Sequence, residues 1–364
     1  MRIAQVAPLY ECVPPHGYGA TERVVHYLTE ALVDEGHHVT LFATADSTTS
    51  AELVPICERG LWRDNRVWDT LAHHVREVEA VIQRAGRFDV VHFHIDPLYF
   101  PAARRLPCAH LTTVHGRLLP ADHGPLFQEF SEAPLVSISD AQRQPIPWAN
   151  WQATIHHGLP VDAFSLEENN EDYLLFIGRM MPEKRPDLAI EIARRAGIRL
   201  KIAAKIHSGE QRYFKEEIAP LIEANRDIVE YLGEVGGEQR IALLSRARAL
   251  IFPIQWPEPF GMVTIEAMAC GTPTIAFRSG AVVEVIEEGI SGTIVDDVEG
   301  AVDALAAIDA IDAIDRRRCR AAFEARFTSA RMAGDYVRVY EALLAARGAQ
   351  DESTDRVRAL RRRR

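Results

Sequence analysis

The sequence is poor in the residues that build disulfide frameworks and metal sites. Its 364 residues carry five cysteines, Cys12, Cys57, Cys108, Cys270 and Cys319, scattered singly and with no Cys-x-x-Cys. A dispersed, odd set of this kind suits reduced thiols, and it excludes both a disulfide scaffold and a cysteine-based zinc site. No Asp-x-Asp pair occurs, so the usual carboxylate handle for a metal–diphosphate is missing. There is no Walker lysine, no Gly-x-Ser-x-Gly elbow and no His-Glu-x-x-His, which removes the P-loop, serine-hydrolase and zincin readings. No apolar run approaches a membrane span. The opening Met1–Pro8 is interrupted too soon for a secretory signal. Positive charge is in deficit: 41 Lys and Arg stand against 52 Asp and Glu, a formal net charge of −11. That balance argues against a nucleic-acid-binding chain. The expectation is a cytoplasmic protein, at most peripheral at the inner face of a membrane.

One local exception to the charge balance is the run Arg356, Arg358 and Arg361–Arg364. It reads as a solvated, disordered tail over 349–364. A contact to anionic lipid headgroups, worth about 1 kcal/mol per basic residue, is the sharper alternative.

What is present is an alternation of buried strands and helices. Ile3–Pro8 is a short apolar run. A loop with Gly17 and Gly19 follows, then a helical pattern from Val24 to Leu32, then the strand Val39–Ala43. This is a βαβ unit, which implies a parallel sheet. Asp89–Phe93, Leu111–Val114 and Leu135–Ser139 continue the series. Composition breaks near Val161–Asp172, and a second series begins with the strands Tyr173–Gly178, Leu200–Ala204, Ala249–Pro253 and Thr274–Phe277. Helices are expected over Asp187–Ala196, Gln211–Ala224 and Glu238–Arg246. The Ala-Ile-Asp repeat of Ala301–Asp315 reads as a low-complexity surface helix. Ser329–Ala346 has apolar residues at helical spacing. Two such series imply two doubly wound α/β domains. Their expected bounds are 1–165 and 166–329, with the C-terminal helix over 330–348 after them.

Chemistry concentrates in Trp256–Pro273. Glu258 and Glu266 stand eight positions apart around a Pro-Phe-Gly turn that opens an apolar helix. A carboxylate accepts hydrogen bonds from vicinal hydroxyls, and a helix N-terminus attracts phosphate. Arg179 and Lys184 follow the first strand of the second series, where two fixed cations suit a diphosphate. Arg185 and Glu183 beside them read as solvated. Gly17-Tyr18-Gly19 permits close backbone approach, although Glu22 occupies the third glycine position of a dinucleotide loop. His115 ends a strand and faces the expected crevice, whereas His92 and His94 read as satisfied structural imidazoles.

With Glu258-x7-Glu266, Gly178-Arg179-x4-Lys184, Gly158-Leu159-Pro160-Val161-Asp162, Ser137–Asp140 and Gly280-x3-Glu284, the chain resembles the retaining glycosyltransferases of family 4 over nearly its whole length. That resemblance implies the GT-B architecture: two Rossmann-like domains facing a cleft, with a C-terminal helix crossing back to the first. It makes Arg179, Lys184, Glu258 and His115 the catalytic set. Arg179 and Lys184 would hold the donor diphosphate, Glu258 the sugar hydroxyls and Glu266 the ribose. Phe260, Gly261, Met262 and Val263 would bind the donor at the helix N-terminus. Gly17 and Gly19 would line the donor phosphates or the acceptor, and His115 would sit near the transferred sugar. Lys205 replaces part of the family's glycine-rich turn and either contacts the base or phosphate or is solvated. His157 stands where the family has Asn.

The implied function is metal-independent, cofactor-free transfer of a hexose with an α-glycoside product. The donor is a nucleotide sugar, with UDP-hexose favoured. The acceptor, a sugar, lipid or small molecule, is open. A nucleotide-sugar 2-epimerase of the same fold and a non-catalytic nucleotide-sugar binder are the alternatives.

Overall fold

Short runs of branched and aromatic residues, bounded by glycine, proline and polar turns, form the strands. The computed structural model describes residues 1–307, 311 and 313–361, with side chains through residue 349 apart from those gaps. The first sheet contains β1 (Arg2–Val6), β2 (His38–Ala43), β3 (Glu52–Pro55), β4 (Val90–Phe93), β5 (Ala109–Thr113), β6 (Leu135–Ser137) and β7 (Trp151–Thr154). Its order is β3-β2-β1-β4-β5-β6-β7, parallel throughout. The second contains β8 (Tyr173–Arg179), β9 (Arg199–Lys205), β10 (Val229–Gly233), β11 (Ala249–Phe252), β12 (Thr274–Phe277) and β13 (Gly292–Val295). Its order is β10-β9-β8-β11-β12-β13, again parallel.

Each sheet winds outward in both directions from a central pair, β1/β4 in one and β8/β11 in the other. A crevice opens beyond the carboxyl ends of the strands at such a switch point. The glycine loop and His94 follow the first pair. Arg179 ends β8, and Glu258 follows β11. Topology alone therefore sets these four positions at the two crevices.

The helix Ser329–Arg361 leaves the second domain and returns to the first sheet. It buries Met332, Ala333, Tyr336 and Tyr340 against Ile3, Leu28, Val90 and Leu111. Where the chain crosses between domains, Leu159 N–H donates to Phe327 O at 2.8 Å and Ser329 N–H to Leu159 O at 2.9 Å. A Cβ on Gly158 would lie 2.2 Å from the Thr328 carbonyl, so the two crossing segments touch only because this residue has no side chain.

Three expectations need correction. The 349–364 segment is not irregular from its start, because the crossing helix runs on to Arg361. No proline interrupts it, and alanine, arginine and leucine favour helix. The side chains of Arg356, Arg358 and Arg361, and residues Arg362–Arg364 entirely, lie outside the described residues. The Ala-Ile-Asp segment is not one surface helix either. Its helix spans Val298–Ala306 and buries Ala301, Ala304 and Leu305, with Ile311 and Ile314 buried beyond its end. Ile308–Ala310 and Asp312 of the repeat lie outside the described residues. Arg185 is held, not solvated. Its guanidinium forks onto Asp187 at 2.7 and 3.0 Å, and its φ of 53° is unusual for a non-glycine residue.

The helix expected over Gln211–Ala224 contains a π-helical turn, Phe214–Ile218. Pro220, which lacks an N–H to continue the ladder, follows it and accounts for the loosened register. Among the described residues no helix is long and apolar enough to cross a membrane.

Candidate active site

The two crevices face one another across a cavity of about 350 Å³. From the second domain, Arg179, Lys184, Lys205, Glu258 and Glu266 line it, together with Phe260–Val263 at the start of the Met262–Ala269 helix. Gly19 and His115 line it from the first. Gly17 does not. Its carbonyl accepts a hydrogen bond from Arg23 Nη2 at 2.6 Å, and its face toward the second domain is covered by Glu234.

The turn before the Met262–Ala269 helix places both glutamates. Gly261 caps the helix in the left-handed region, φ 84° and ψ 63°, and no side chain bonds to the first amides. Those amides remain available to a ligand oxygen. Glu258 is fixed through its backbone, donating to Trp256 O at 2.7 Å and accepting from Ala281 N at 3.0 Å. Two turns later Glu266 is almost fully buried, and the Arg240 guanidinium clamps its Oε2.

The four cavity cations of the second domain are each paired with a carboxylate. Lys184 Nζ donates to Glu258 Oε2 at 2.6 Å, Arg179 bonds Glu210, Arg240 bonds Glu266, and Lys205 stands 3.4 Å from Glu234. These pairs are partly sheltered, so each carboxylate holds its cation in place while leaving other N–H donors free. Arg179 Nε and Arg240 Nε are buried donors with no acceptor among the described residues. A polyanion entering the cavity would meet cations already oriented. Glu234 adds a second contact, accepting from the Tyr18 amide at 3.1 Å. It occupies the glycine-loop donor that an anion would otherwise use.

His115 bonds through Nε2 to His94 Nδ1 at 2.8 Å. Burial pushes its pKa down to about 3, so the ring is neutral at working pH. His157 stacks on it, ring centres 5.3 Å apart and 16° from parallel, and meets Phe260 edge-on at 4.9 Å. His92 and His94 are buried and hydrogen-bonded, as structural imidazoles should be.

Sequence reasoning missed Tyr18, Arg240, Trp256 and the wall-forming role of His157. Trp256 lies between Lys184 and the first domain's Arg117, with cation-to-ring distances of 5.4 and 5.8 Å. Arg240 carries no local signal, since it looks like an ordinary charged position on the Gly237–Arg246 helix. The domains are also latched close to Glu258. Ser139 Oγ donates to Pro259 O at 2.6 Å, and Glu284 accepts from the amides of Asp140 and Ala141 at 2.8 and 2.7 Å.

This geometry predicts that Glu266→Ala weakens nucleotide-sugar binding about tenfold to a hundredfold, because a charged hydrogen-bond partner is lost and Arg240 is left unpaired. Glu266→Gln should lose less. Isothermal calorimetry with the nucleoside diphosphate would measure both, and unchanged affinity in the alanine variant would remove Glu266 from the site.

Comparison with known proteins bears on the family and the fold. The family model for glycosyl transferases group 1 matches residues 161–322, and that for glycosyltransferase family 4 matches residues 21–151. D-inositol 3-phosphate glycosyltransferase of Mycolicibacterium smegmatis is 27% identical over 210 residues, covering 53% of this chain and 46% of that protein. The match thus spans less than half the length of that curated relative. Among solved structures, AviGT4, a glycosyltransferase involved in avilamycin A biosynthesis, has a TM-score of 0.74 at 27% identity, covering 95% of this chain and 98% of that one. Sucrose-phosphate synthase from Thermosynechococcus elongatus has a TM-score of 0.78 at 20% identity, covering 95% and 100%. The two family models meet at the interdomain connection and take in both walls of the cavity, and the chain belongs to the GT-B glycosyltransferases of group 1 and family 4.

Proposed function

We propose that the protein is a retaining hexosyltransferase that uses a nucleotide-sugar donor, with UDP-hexose the first to try, and gives an α-glycoside. The carrying observation is the convergence of Arg179, Lys184, Glu258 and Glu266 on one cavity. Cleaving a glycosyl–diphosphate bond develops positive charge at the anomeric carbon and negative charge on the departing diphosphate. Arg179 and Lys184 stabilise that negative charge, as do the uncapped amides at Gly261–Val263. Glu258 orients hydroxyls of the sugar, and Glu266 holds the ribose. The acceptor hydroxyl attacks the face that the diphosphate leaves, and its proton passes to a leaving phosphate oxygen. From the first domain, Tyr18, His115 and Arg117 line the same cavity and would meet the transferred sugar or the acceptor. Domain closure keeps water, the competing nucleophile, away from the anomeric carbon.

Metal independence belongs to the same proposal. Arg179 and Lys184, which line the cavity, would neutralise a diphosphate in a metal's stead. Among the described residues, no group of three or more His, Cys, Asp or Glu side chains is disposed to hold a metal ion.

The test is incubation of the purified protein with nucleotide sugars and a panel of sugar, lipid and small-molecule acceptors, reading the product's anomeric configuration by NMR. An α-linked product that still forms in EDTA is expected. A β-linked product would overturn retention, and complete loss in EDTA would overturn metal independence. An isomerised donor without acceptor would identify an epimerase, and binding without turnover would identify a binder.

A further inference from the structure

His115 is tied to a line of buried polar groups that the transfer chemistry leaves unused. From His94, Nε2 lies 2.7 Å from Gln5 Oε1, and Gln5 Nε2 lies 3.2 Å from the Tyr340 hydroxyl. Tyr340 continues to His92 Nδ1 at 2.8 Å, His92 Nε2 to Thr113 Oγ1 at 2.8 Å, and Thr113 to the Tyr336 hydroxyl at 2.7 Å. Every member from His94 to Tyr336 is sealed from solvent. Polar groups so placed stay only if their hydrogens are consistently shared.

The Gln5 amide is assigned the facing that its two contact lengths fit better. With Oε1 toward His94, both Gln5 contacts are N–H···O bonds, and 2.7 and 3.2 Å both fall in that range. Turned over, the 3.2 Å contact would become O–H···O, longer than is usual for that class, and the 2.7 Å contact would become N–H···N. Gln5 Oε1 therefore accepts, and His94 carries its hydrogen on Nε2. Burial keeps His94 neutral, so its Nδ1 holds a lone pair. His115 must then donate from Nε2. Being neutral too, it is left with a bare Nδ1, the ring nitrogen with no partner among the described residues.

We propose that His94, Gln5 and Tyr340 are positioning residues that fix His115 in a single tautomer, so that its Nδ1 offers a lone pair to a substrate hydroxyl in the cleft. The inference rests on the glycosyl-transfer reading and narrows what His115 receives. An ionised phosphate oxygen has no hydrogen to give, so the ring serves a hydroxyl of the transferred sugar or of the acceptor, not the diphosphate. His157 holds the ring plane from one face. Tyr340 reaches the line from the crossing helix, which makes that helix part of the site's hydrogen placement.

The test is 15N NMR of the imidazoles in the full-length protein, with Gln5→Leu and the shape-conserving Tyr340→Phe as variants. In the wild-type chain, His115 should carry its hydrogen on Nε2 and none on Nδ1. Gln5→Leu should populate both tautomers and lower kcat/KM about tenfold, the weight of one hydrogen bond. Tyr340→Phe should shift both readings in the same direction by less. Calorimetry with UDP and UDP-glucose, then with the GDP and ADP pairs, identifies the hydroxyl. If it belongs to the transferred sugar, Gln5→Leu weakens the sugar nucleotide while the bare diphosphate binds as before. If it belongs to the acceptor, both bind as before and the acceptor KM rises. A wild-type His115 with hydrogen on Nδ1, or a Gln5→Leu variant with unchanged spectrum and unchanged kcat/KM, would overturn the proposal. Failure of the wild-type chain to bind or turn over any nucleotide sugar would instead count against the glycosyl-transfer reading, since the tautomer is measured without substrate.

Discussion

Lys184→Ala is expected to lower kcat/KM for transfer by about 10²- to 10³-fold, the usual weight of one preorganised donor at a developing negative charge. The ammonium is placed by a short turn, Pro182–Lys184, that follows β8. It arrives already bonded to Glu258 at 2.6 Å, so little reorganisation separates the resting site from the working one. Removing it deletes the cation proposed to face the diphosphate and frees the carboxylate proposed to orient the sugar. Both losses act on the same step. Lys184→Arg restores charge but brings a rigid fork in place of a point donor, and should recover only part of the rate. Steady-state kinetics on the three proteins would settle the matter. Transfer within a few-fold of wild type in the alanine variant would remove Lys184 from the leaving-group machinery.

The second large effect is expected at a residue that touches no substrate. A Cβ on Gly280 would stand 2.3 Å from the carbonyl oxygen of Glu258 and 2.4 Å from its nitrogen, and Gly280 sits at φ +54°. Gly280→Ala must therefore displace the Glu258 segment or break the Ala281 N–H···O Glu258 bond. A shift of about 1 Å in a positioning group costs on the order of 10²-fold in rate. Gly289→Ala is the matched control. Gly289 has φ +72° but no atom within 4 Å of the added carbon, so it carries the backbone strain without the collision. The control should lose about 1 kcal/mol of stability with kcat retained. Gly280→Ala should lose stability and kcat together. Equal kcat for the two variants, with thermal unfolding measured on each, would show that the close approach at Gly280 does not position Glu258.

Much of the fold was legible because central strands of parallel sheets are buried on both faces and read as continuous apolar runs. The strands that escaped were β3, β7, β10 and β13, which are the four edges of the two sheets. Edge strands are half exposed, and sequences such as Glu52–Pro55 or Trp151–Thr154 carry no apolar run to detect. At the cavity, Glu258 stands out between two prolines at a strand end, whereas Glu266 also suits a plain helix face and takes its role from the family resemblance. Arg240 could not be found that way. It meets Glu266 across 26 positions, and only the fold makes that contact. The buried line behind His115 failed for a related reason. Gln5, His94 and Tyr340 each look like an ordinary core polar residue, and their connection spans the length of both domains.

The crossing helix also has a consequence for the order in which the molecule is made. Gln5, His92 and Thr113 leave the ribosome early, yet their partners Tyr336 and Tyr340 follow only after the whole second domain. A nascent first sheet therefore leaves those polar groups to water and an apolar face with nothing to cover it, the latter a surface of the kind that chaperones recognise. On the proposed reading, the hydrogen-bonded line behind His115 is complete only once both halves have been synthesised and the late helix has docked.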